Sequence, residues 1–172
     1  DRIAASAHAE GALMVLDAEL IICGPENERR IPITDFYTGN GQKPHALGEE
    51  ELVSAILIPS DGRGWKQGFL KKSARGSVDF AIASLSVRLK VSGLIVEDAR
   101  IALSGVSTKP VRATEAENCL KGKKISDETV AHTAETALKE IQPLSLIGAS
   151  AFLRRNVIRA MFEDLMASIT RS

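Results

Sequence analysis

The chain has 172 residues, of which 44% are hydrophobic and 26% are charged, a balance typical of a globular protein. Its 22 basic and 22 acidic residues cancel, which argues against a nucleic-acid partner and against electrostatic attachment to a membrane. No apolar run reaches the roughly 18 residues of a membrane span. Residues 1–10 lack the basic and apolar segments of a secretory signal, so we expect a cytoplasmic protein.

Cysteine and histidine content argues against a metal site. Cys23 and Cys119 fall in different predicted elements, and the histidines are isolated, so no ligand spacing for zinc or an iron–sulfur cluster occurs. Two buried, reduced thiols suit a cytoplasmic protein better than a disulfide does.

The amino-terminal residues predict a helix followed by a strand hairpin. Apolar residues at helical spacing indicate a helix over residues 9–17. Residues 18–23 and 29–33 predict two strands, since a turn containing Gly24 and Pro25 separates them.

The next stretch predicts a loop, a strand and a linker. Residues 34–48 contain several glycines and a proline, which break any period and indicate a loop. Residues 52–58 are apolar and β-branched enough for a buried strand, which Pro59 ends. Residues 60–64 are the best candidate for a linker.

A long antiparallel hairpin is predicted next. Residues 65–72 indicate an extended segment, and residues 81–91 alternate between apolar odd positions and mostly polar even ones. This period of two predicts a strand with one face in a core and the other in water. Ser92 and Gly93 indicate a turn, and residues 99–103 continue the alternation on a second strand.

The carboxyl-terminal end predicts three helices. Thr114 and Glu117 fit a capping box at the first, Ser126 fits the cap of the second, and Ser150 fits the start of the third. The predicted apolar stripe of the third helix is Leu153, Val157, Met161, Leu165 and Ile169. Its predicted solvent face is Arg154, Arg155, Arg159, Glu163 and Asp164. A sheet followed by helices is an α+β pattern.

No catalytic arrangement is complete in the sequence. Neither a phosphate-binding glycine loop nor a nucleophile elbow is present. Lys71, Lys72 and Arg75 form a basic cluster, which is either a solvated patch or a site for an anionic ligand. Asp79 follows Arg75 by four residues and is expected to pair with it.

Several segments in register resemble one known family. They are residues 29–39, 50–59 and 69–81, together with 99–106 and 110–117. Their order and spacing resemble the flavoprotein (medium) subunit of the xanthine dehydrogenase family, which includes carbon monoxide dehydrogenase, hydroxybenzoyl-CoA reductase and nicotinate dehydrogenase. The resemblance covers nearly the whole chain and corresponds to the carboxyl-terminal portion of that subunit.

This resemblance implies a fold and a function. Residues 1–62 would be the rear part of an FAD-binding domain. Residues 63–172 would be a carboxyl-terminal domain, in which a three-stranded antiparallel sheet packs with helices. In the family, FAD relays electrons between iron–sulfur clusters on a small subunit and an acceptor, after substrate oxidation at a molybdenum cofactor on a large subunit. The implied partners are therefore these two subunits.

The resemblance also implies cofactor-binding residues. Val53 matches the family position that packs on the isoalloxazine ring, and Leu52 beside it is assigned to the same site. Lys71 matches the family lysine near the flavin ring, where a cation stabilises the reduced, anionic form. His8 and Leu153 stand where the family has an Asp and a Tyr. We expect the seam near Val53 and Lys71 to form one wall of a flavin cleft.

The glycine-rich segments that hold the FAD pyrophosphate in the family lie upstream of the part matched here. Backbone N–H groups of such turns bind phosphate oxygens, so we expect this chain alone to bind FAD weakly or not at all, and to be inactive by itself. The alternative is a docking module that has lost flavin binding, in which the hairpin and the last helix hold partner subunits.

Overall fold

The structure consists of two antiparallel sheets and the helices that pack on them. The computed structural model describes residues 9–60, 64–75, 79, 81–143 and 149–171. In chain order, its elements are α1 (Ala9–Val15), β1 (Glu19–Cys23), β2 (Glu28–Pro32), α2 (Ile33–Phe36), β3 (Leu52–Leu57), β4 (Trp65–Ser73), β5 (Ala81–Ser92), β6 (Ile95–Ser104), β7 (Val111–Arg112), α3 (Thr114–Leu120), α4 (Asp127–Glu140) and α5 (Ala151–Arg171). Among the helices described, none is long and apolar enough to cross a bilayer.

The smaller sheet has the strand order β2-β1-β3, and both of its pairings are antiparallel. Met14 and Val15 of α1 pack against Leu20 and Ile22 of β1 in a small core. The predicted helix and hairpin are therefore confirmed. The helix ends before Asp17, whose φ of 50° starts the turn into β1, a conformation that Asp tolerates better than most residues.

Two expectations for this sheet are wrong. β3 is only half buried, because one of its faces packs on the small core and the other does not, so Leu52 is 59% exposed. Residues 34–48 are not all loop, because α2 reaches into them. Ile33 anchors this helical turn, since it is buried and its N–H donates to the carbonyl oxygen of Ala18 at 3.0 Å. Of the predicted linker, residues 61–63 lie outside the described residues.

The larger sheet has the order β4-β5-β6-β7. Its three long strands form the antiparallel sheet that was predicted, and the two-residue strand β7 extends it. β5 and β6 make the predicted long hairpin. Gly93 in its turn has a φ of +60°, which glycine adopts without the steric cost of a Cβ atom.

The helices α3, α4 and α5 cover one face of the larger sheet and enclose the main core. The odd-numbered apolar residues of β5 point into it, as their alternation predicts. Burial of apolar surface stabilises the folded state by about 25 cal/mol per Å². The fully buried side chains at the centre of this core include Leu85, Leu89, Ile101, Leu103, Ile158 and Phe162.

The opposite face of β5 is not in water, and this prediction is wrong. Ser84, Ser86 and Arg88 are all buried. The reason is that α1 packs on this face so closely that a Cβ atom on Gly11 would lie 2.9 Å from the Oγ atom of Ser86. A polar face was predicted to be solvated, but a helix from the start of the chain covers it.

Serine residues begin α4 and α5 as predicted. The Oγ atom of Ser126 accepts the N–H of Thr129 at 3.3 Å, and the Thr129 hydroxyl accepts the N–H of Ser126 at 2.9 Å. The Oγ atom of Ser150 accepts the N–H of Leu153 at 3.1 Å. Both caps satisfy N–H groups that have no partner within the helix.

The capping box predicted for Thr114 and Glu117 is wrong. The carboxylate of Glu140, on α4, accepts the N–H groups of Glu115 and Ala116 at 3.1 and 2.9 Å instead. Glu117 is buried and accepts the N–H of Ile101 at 2.8 Å. The first turn of α3 is thus capped from another helix, which frees Glu117 to bind the sheet.

Four side chains are buried differently from the predictions. Arg154, expected on the solvent face of α5, is buried and donates from its guanidinium to the carbonyl oxygens of Ile82 and Gly105. Leu153, expected in the apolar stripe, is exposed. Cys23 and Cys119 are free thiols, as expected, but they are half-buried. Because Arg154 bonds with a carbonyl oxygen of β5 and with that of the residue after β6, the buried face at the start of α5 is shifted by one residue from the prediction.

An ion pair anchors the loop that precedes β3, and its strength should depend on pH. Arg29 donates to both carboxylate oxygens of Glu51, at 2.9 and 2.7 Å. The hydrogen bonds from Arg29, together with one from the N–H of Gly48, lower the pKa of Glu51 to about 2. Because the pKa is depressed by folding, the stabilisation is complete above the ordinary Glu pKa of about 4.3 and is lost as pH falls towards about 2.

We therefore expect amide hydrogen exchange in residues 46–51 to accelerate as the pH falls from about 4.5 to about 2, after correction for intrinsic exchange. Glu51→Gln should remove this pH dependence, whereas Glu49→Gln, at an exposed position in the same loop, should leave it unchanged. An acceleration that persists in Glu51→Gln would contradict the assignment.

Candidate functional site

α1 lies between the two sheets and connects the two parts of the chain. Gly11 faces the larger sheet, where a Cβ atom would come within 3.3 Å of the Ser104 Oγ atom. Met14 and Val15 belong to the small core, which also contains Ala102 of β6. Residues of both sheets therefore contact the same short helix, α1.

Val53 and Leu52 occupy adjacent positions on β3 and point to opposite faces. Val53 pairs with Ile22 and packs, half-buried, against the small core. Leu52 points away from this core and is exposed. Alternation along a strand therefore places only Val53 on the side that α1 shares.

Lys71 lies on β4, directly across from Ser84 of β5. Residues directly opposite in a sheet share a face, so Lys71 lies on the face that α1 covers in part. Its amine donates to the carbonyl oxygen of Asp79 at 2.7 Å. This acceptor is uncharged, so the bond fixes the position of the amine without neutralising it. The Asp79 carboxylate pairs with Arg75 at 3.4 Å, as predicted.

Phe69 is a neighbour of Lys71 that the sequence analysis did not single out. It lies two residues earlier on β4, opposite Ser86, and is therefore on the same face. Its side chain is 42% exposed. An exposed aromatic ring beside a half-buried cation offers both an apolar surface and a positive charge to a planar, electron-accepting ligand.

The predicted site residues are divided between the sheets. Val53 and Leu52 are on the smaller sheet and Lys71 is on the larger one, and the sheets meet at α1. The cofactor roles of these three residues stay predictions. His8, where the family has an Asp, lies outside the described residues.

Glu10 is a buried carboxylate on α1 that the sequence analysis also missed. Burial raises the pKa of Tyr37, and the negative charge of Glu10 and its hydrogen bond with the Tyr37 hydroxyl raise it further. This pair ties α1 to the end of α2. This contact helps to fix the position of α1 beside the larger sheet.

A network of ion pairs joins the turn after α1 to the larger sheet. Asp17 accepts hydrogen bonds from Arg100 at 3.0 Å and from Arg112 at 2.8 Å. Arg112 also pairs with Glu117. Burial alone would raise the pKa of Asp17, but the hydrogen bonds from Arg112 and Arg100 outweigh it and lower that pKa. The network therefore links the turn before β1 to β6 and β7, and Asp17 is charged at neutral pH.

A second region where the two parts meet is the cavity beside Trp65, whose own cation–π contacts lie within the larger sheet. The guanidinium carbon of Arg88 lies 4.2 Å from the centroid of the indole ring, and that of Arg100 lies 5.6 Å from it. Such cation–π contacts stabilise most when the cation is desolvated, as Arg88 is. Trp65 and Arg88 line a cavity of about 450 Å³ together with Leu16 and Ile58.

Metal ligands do not cluster in the described parts of the chain. Over residues 9–60, 64–75, 79, 81–143 and 149–171, no group of three or more His, Cys, Asp or Glu side chains could hold an ion.

Comparison with known proteins identifies the family. Residues 68–169 match the family described as "CO dehydrogenase flavoprotein C-terminal domain". The chain belongs to this family. Residues 4–61 match a second family, described as "FAD binding domain in molybdopterin dehydrogenase". The resemblance inferred from the sequence and the α+β fold that it implied are confirmed.

Relatives of this chain include medium subunits and structures of whole enzymes. The chain is 33% identical over 149 residues to the glyceraldehyde dehydrogenase medium chain of Sulfolobus acidocaldarius. The aligned stretch covers 87% of this chain and 52% of the relative. Carbon monoxide dehydrogenase of Hydrogenophaga pseudoflava matches with a TM-score of 0.86 at 25% identity, over 93% of this chain and 55% of that one. Quinoline 2-oxidoreductase of Pseudomonas putida 86 also matches with a TM-score of 0.86, at 27% identity, over 98% and 57%. The chain spans about half the length of the curated relatives it matches.

Proposed function

We propose that the chain is part of the FAD-binding medium subunit of a molybdenum-containing hydroxylase or dehydrogenase. Its role is to help bind FAD and to relay electrons between iron–sulfur clusters and an acceptor. Membership of the family and likeness to medium chains support this proposal. The partners would be a large molybdenum-cofactor subunit and a small iron–sulfur subunit, and the complex would work in the cytoplasm.

The proposal includes a division of the chain near residue 62. Residues 1–62 would complete an FAD-binding domain, and residues 63–172 would form the carboxyl-terminal domain. The change of sheet between β3 and β4 supports this division. FAD, when bound, supplies the capacity to accept two electrons and to pass them on.

One observation carries the proposal: Lys71 and Phe69 share the sheet face that packs on α1, and Val53 approaches α1 from the other sheet. The charge of Lys71 favours the reduced ring, which carries more negative charge than the oxidised one. Because its amine bonds with a backbone carbonyl, the charge is held in place at little cost when the ring changes state.

The smaller sheet would supply the apolar side of the site. Val53 and Leu52 point to opposite faces of β3, so one ligand would meet both only at the end where the strand begins. Val53 is the proposed contact with the ring. Leu52, which is exposed at the first position of the strand, is the proposed second contact.

Replacing Lys71 with Ala in the assembled, flavin-loaded complex is expected to lower the midpoint potential of the flavin by about 30 mV. This value corresponds to a tenfold loss of preference for the reduced form of a two-electron couple. The measurement is a potentiometric titration that follows flavin absorbance. Lys72→Ala is the matched control, because Lys72 is the next residue, is exposed and points to the opposite face of β4.

Two results would count against these assignments. An unchanged potential in Lys71→Ala, with FAD fully bound, would remove the role of Lys71. A wild-type complex that assembles with both partner subunits but contains no FAD would support the alternative, a docking module without flavin binding.

A further inference from the structure

A groove runs between the start of α4 and the end of α5, on the side of the main core away from α1. Its volume is about 870 Å³. Ile125, Val130 and Met166 form an apolar floor, and Leu94, in the turn between β5 and β6, stands beside it with 54% of its surface exposed. The leucine thereby extends the apolar surface of the groove, and contiguous apolar patches with a polar rim mark sites that bind proteins, membranes or ligands.

The two helices approach the groove with small side chains. Ala131 of α4 and Ala167 of α5 both line it, and both are exposed. Because neither side chain extends beyond its Cβ atom, the space between the helices stays open. A row of apolar side chains from a third helix fits such a depression, with contacts at every third or fourth residue.

The charges that line the groove are mainly negative. Asp127, Glu163 and Asp164 line it, against Arg171 as the single lining residue of positive charge among those the structure describes. The three carboxylates form no ion pair with any part of the chain that the structure describes. A partner with positive charges would therefore find carboxylates that are still available to it.

We propose that this groove binds an amphipathic helix of a partner protein, with an apolar face and flanking Lys or Arg residues. Leu94, Ile125, Ala131 and Ala167 supply the apolar area that the helix buries, above the closed floor of Val130 and Met166. The acidic rim selects for basic flanks and speeds their approach. The same rim repels the anionic head groups of a lipid surface. The proposal does not depend on flavin binding, because the groove lies on the helical side of the larger sheet and shares no residue with the candidate flavin site.

The test uses two synthetic helical peptides of about 15 residues with the same leucine face, one carrying Lys and the other Glu on its flanks. We expect the Lys peptide to bind the intact chain at least about tenfold more tightly than the Glu peptide in isothermal titration calorimetry. The preference should shrink when salt is raised to about 0.5 M, because exposed charges are then screened.

Matched variants locate the binding. Ala167→Arg places a long, positively charged side chain in the groove and should lower the affinity for the Lys peptide at least about tenfold. Ala160→Arg is the control, because Ala160 is an exposed alanine of the same helix that does not line the groove. The double variant Glu163→Lys, Asp164→Lys should reverse the preference between the peptides. Circular dichroism of each variant shows that it is folded before binding is measured.

Three outcomes would overturn the proposal. The first is equal binding of both peptides by the wild-type chain. In the second, Ala167→Arg binds the Lys peptide as tightly as the wild-type chain does, and the double variant still prefers the Lys peptide. The third is concentration-dependent self-association of the wild-type chain that Ala167→Arg abolishes, which would make a second copy of this chain the occupant.

Discussion

Replacing Glu117 with Ala is expected to lower the free energy of unfolding by about 3 to 5 kcal/mol, the range found when one partner of a buried ion pair is removed. Glu117 is buried, accepts the N–H of Ile101 at 2.8 Å and pairs with Arg112. Its loss leaves a buried N–H group without an acceptor and a guanidinium group without its nearest carboxylate.

Urea denaturation followed by circular dichroism measures this effect. Glu115→Ala is the control, since Glu115 is exposed on the same helix and its removal should change stability by no more than about 0.5 kcal/mol. Glu117→Gln should fall between the two, because its amide oxygen can still accept from Ile101. A loss below about 1 kcal/mol for Glu117→Ala would mean that Asp17, which also binds Arg112, is a sufficient partner.

Replacing Gly68 with Val is expected to cost about 1 to 3 kcal/mol, because the added atoms would collide with α5. A Cβ atom at this position would lie 2.5 Å from a methyl carbon of Leu165 and 3.3 Å from Ile169. The absence of a side chain therefore allows the last helix to rest directly on β4. The larger residue would push the helix away from a closely packed core.

A double-mutant cycle identifies the collision. In the Leu165→Ala background, the methyl group nearest to Gly68 is gone, so Gly68→Val should cost clearly less there than in the wild-type chain. Gly41→Ala serves as the control for loss of glycine, since a Cβ atom there meets no described atom within 4 Å. Additive costs in the cycle would show that Leu165 is not the obstacle.

The secondary structure that local patterns govern could be predicted. Alternation over residues 81–91 and the turn at Gly93 give the hairpin of β5 and β6. Ser126 and Ser150 mark two helix starts, because a cap acts on residues that are only three positions away. These features depend on neighbours in sequence, so the sequence contains what is needed to infer them.

The errors concern contacts between distant segments. Ser86 follows the pattern of a solvated face, yet α1, far away in sequence, covers it, and Arg88 of the same pattern is buried against Trp65. Glu117 fits a capping box, yet a β6 backbone group and an arginine compete for its carboxylate and bind it. Period and spacing cannot show which segment packs against which, so such residues are assigned to water or to a cap.

The candidate site was predicted unevenly. Val53 and Lys71 were selected from the family resemblance, since nothing in their local pattern distinguishes them from other strand residues. Phe69 could have been added, because period two from Lys71 along a strand places it on the same face. The carbonyl of Asp79 that holds the Lys71 amine could not, because it requires the chain to turn back between β4 and β5.

The position of Trp65 gives the molecule a built-in optical signal. It is the only tryptophan in the chain, and it lies against Arg88 and Arg100 where the two sheets meet. Arg100 also binds Asp17 on the smaller-sheet side, so the surroundings of the indole depend on the contact between the sheets. Leu16 and Ile58 line the same cavity as Trp65, so we expect its intrinsic emission to change when the sheets separate, which a rapid-mixing experiment can follow without any dye attached to the protein.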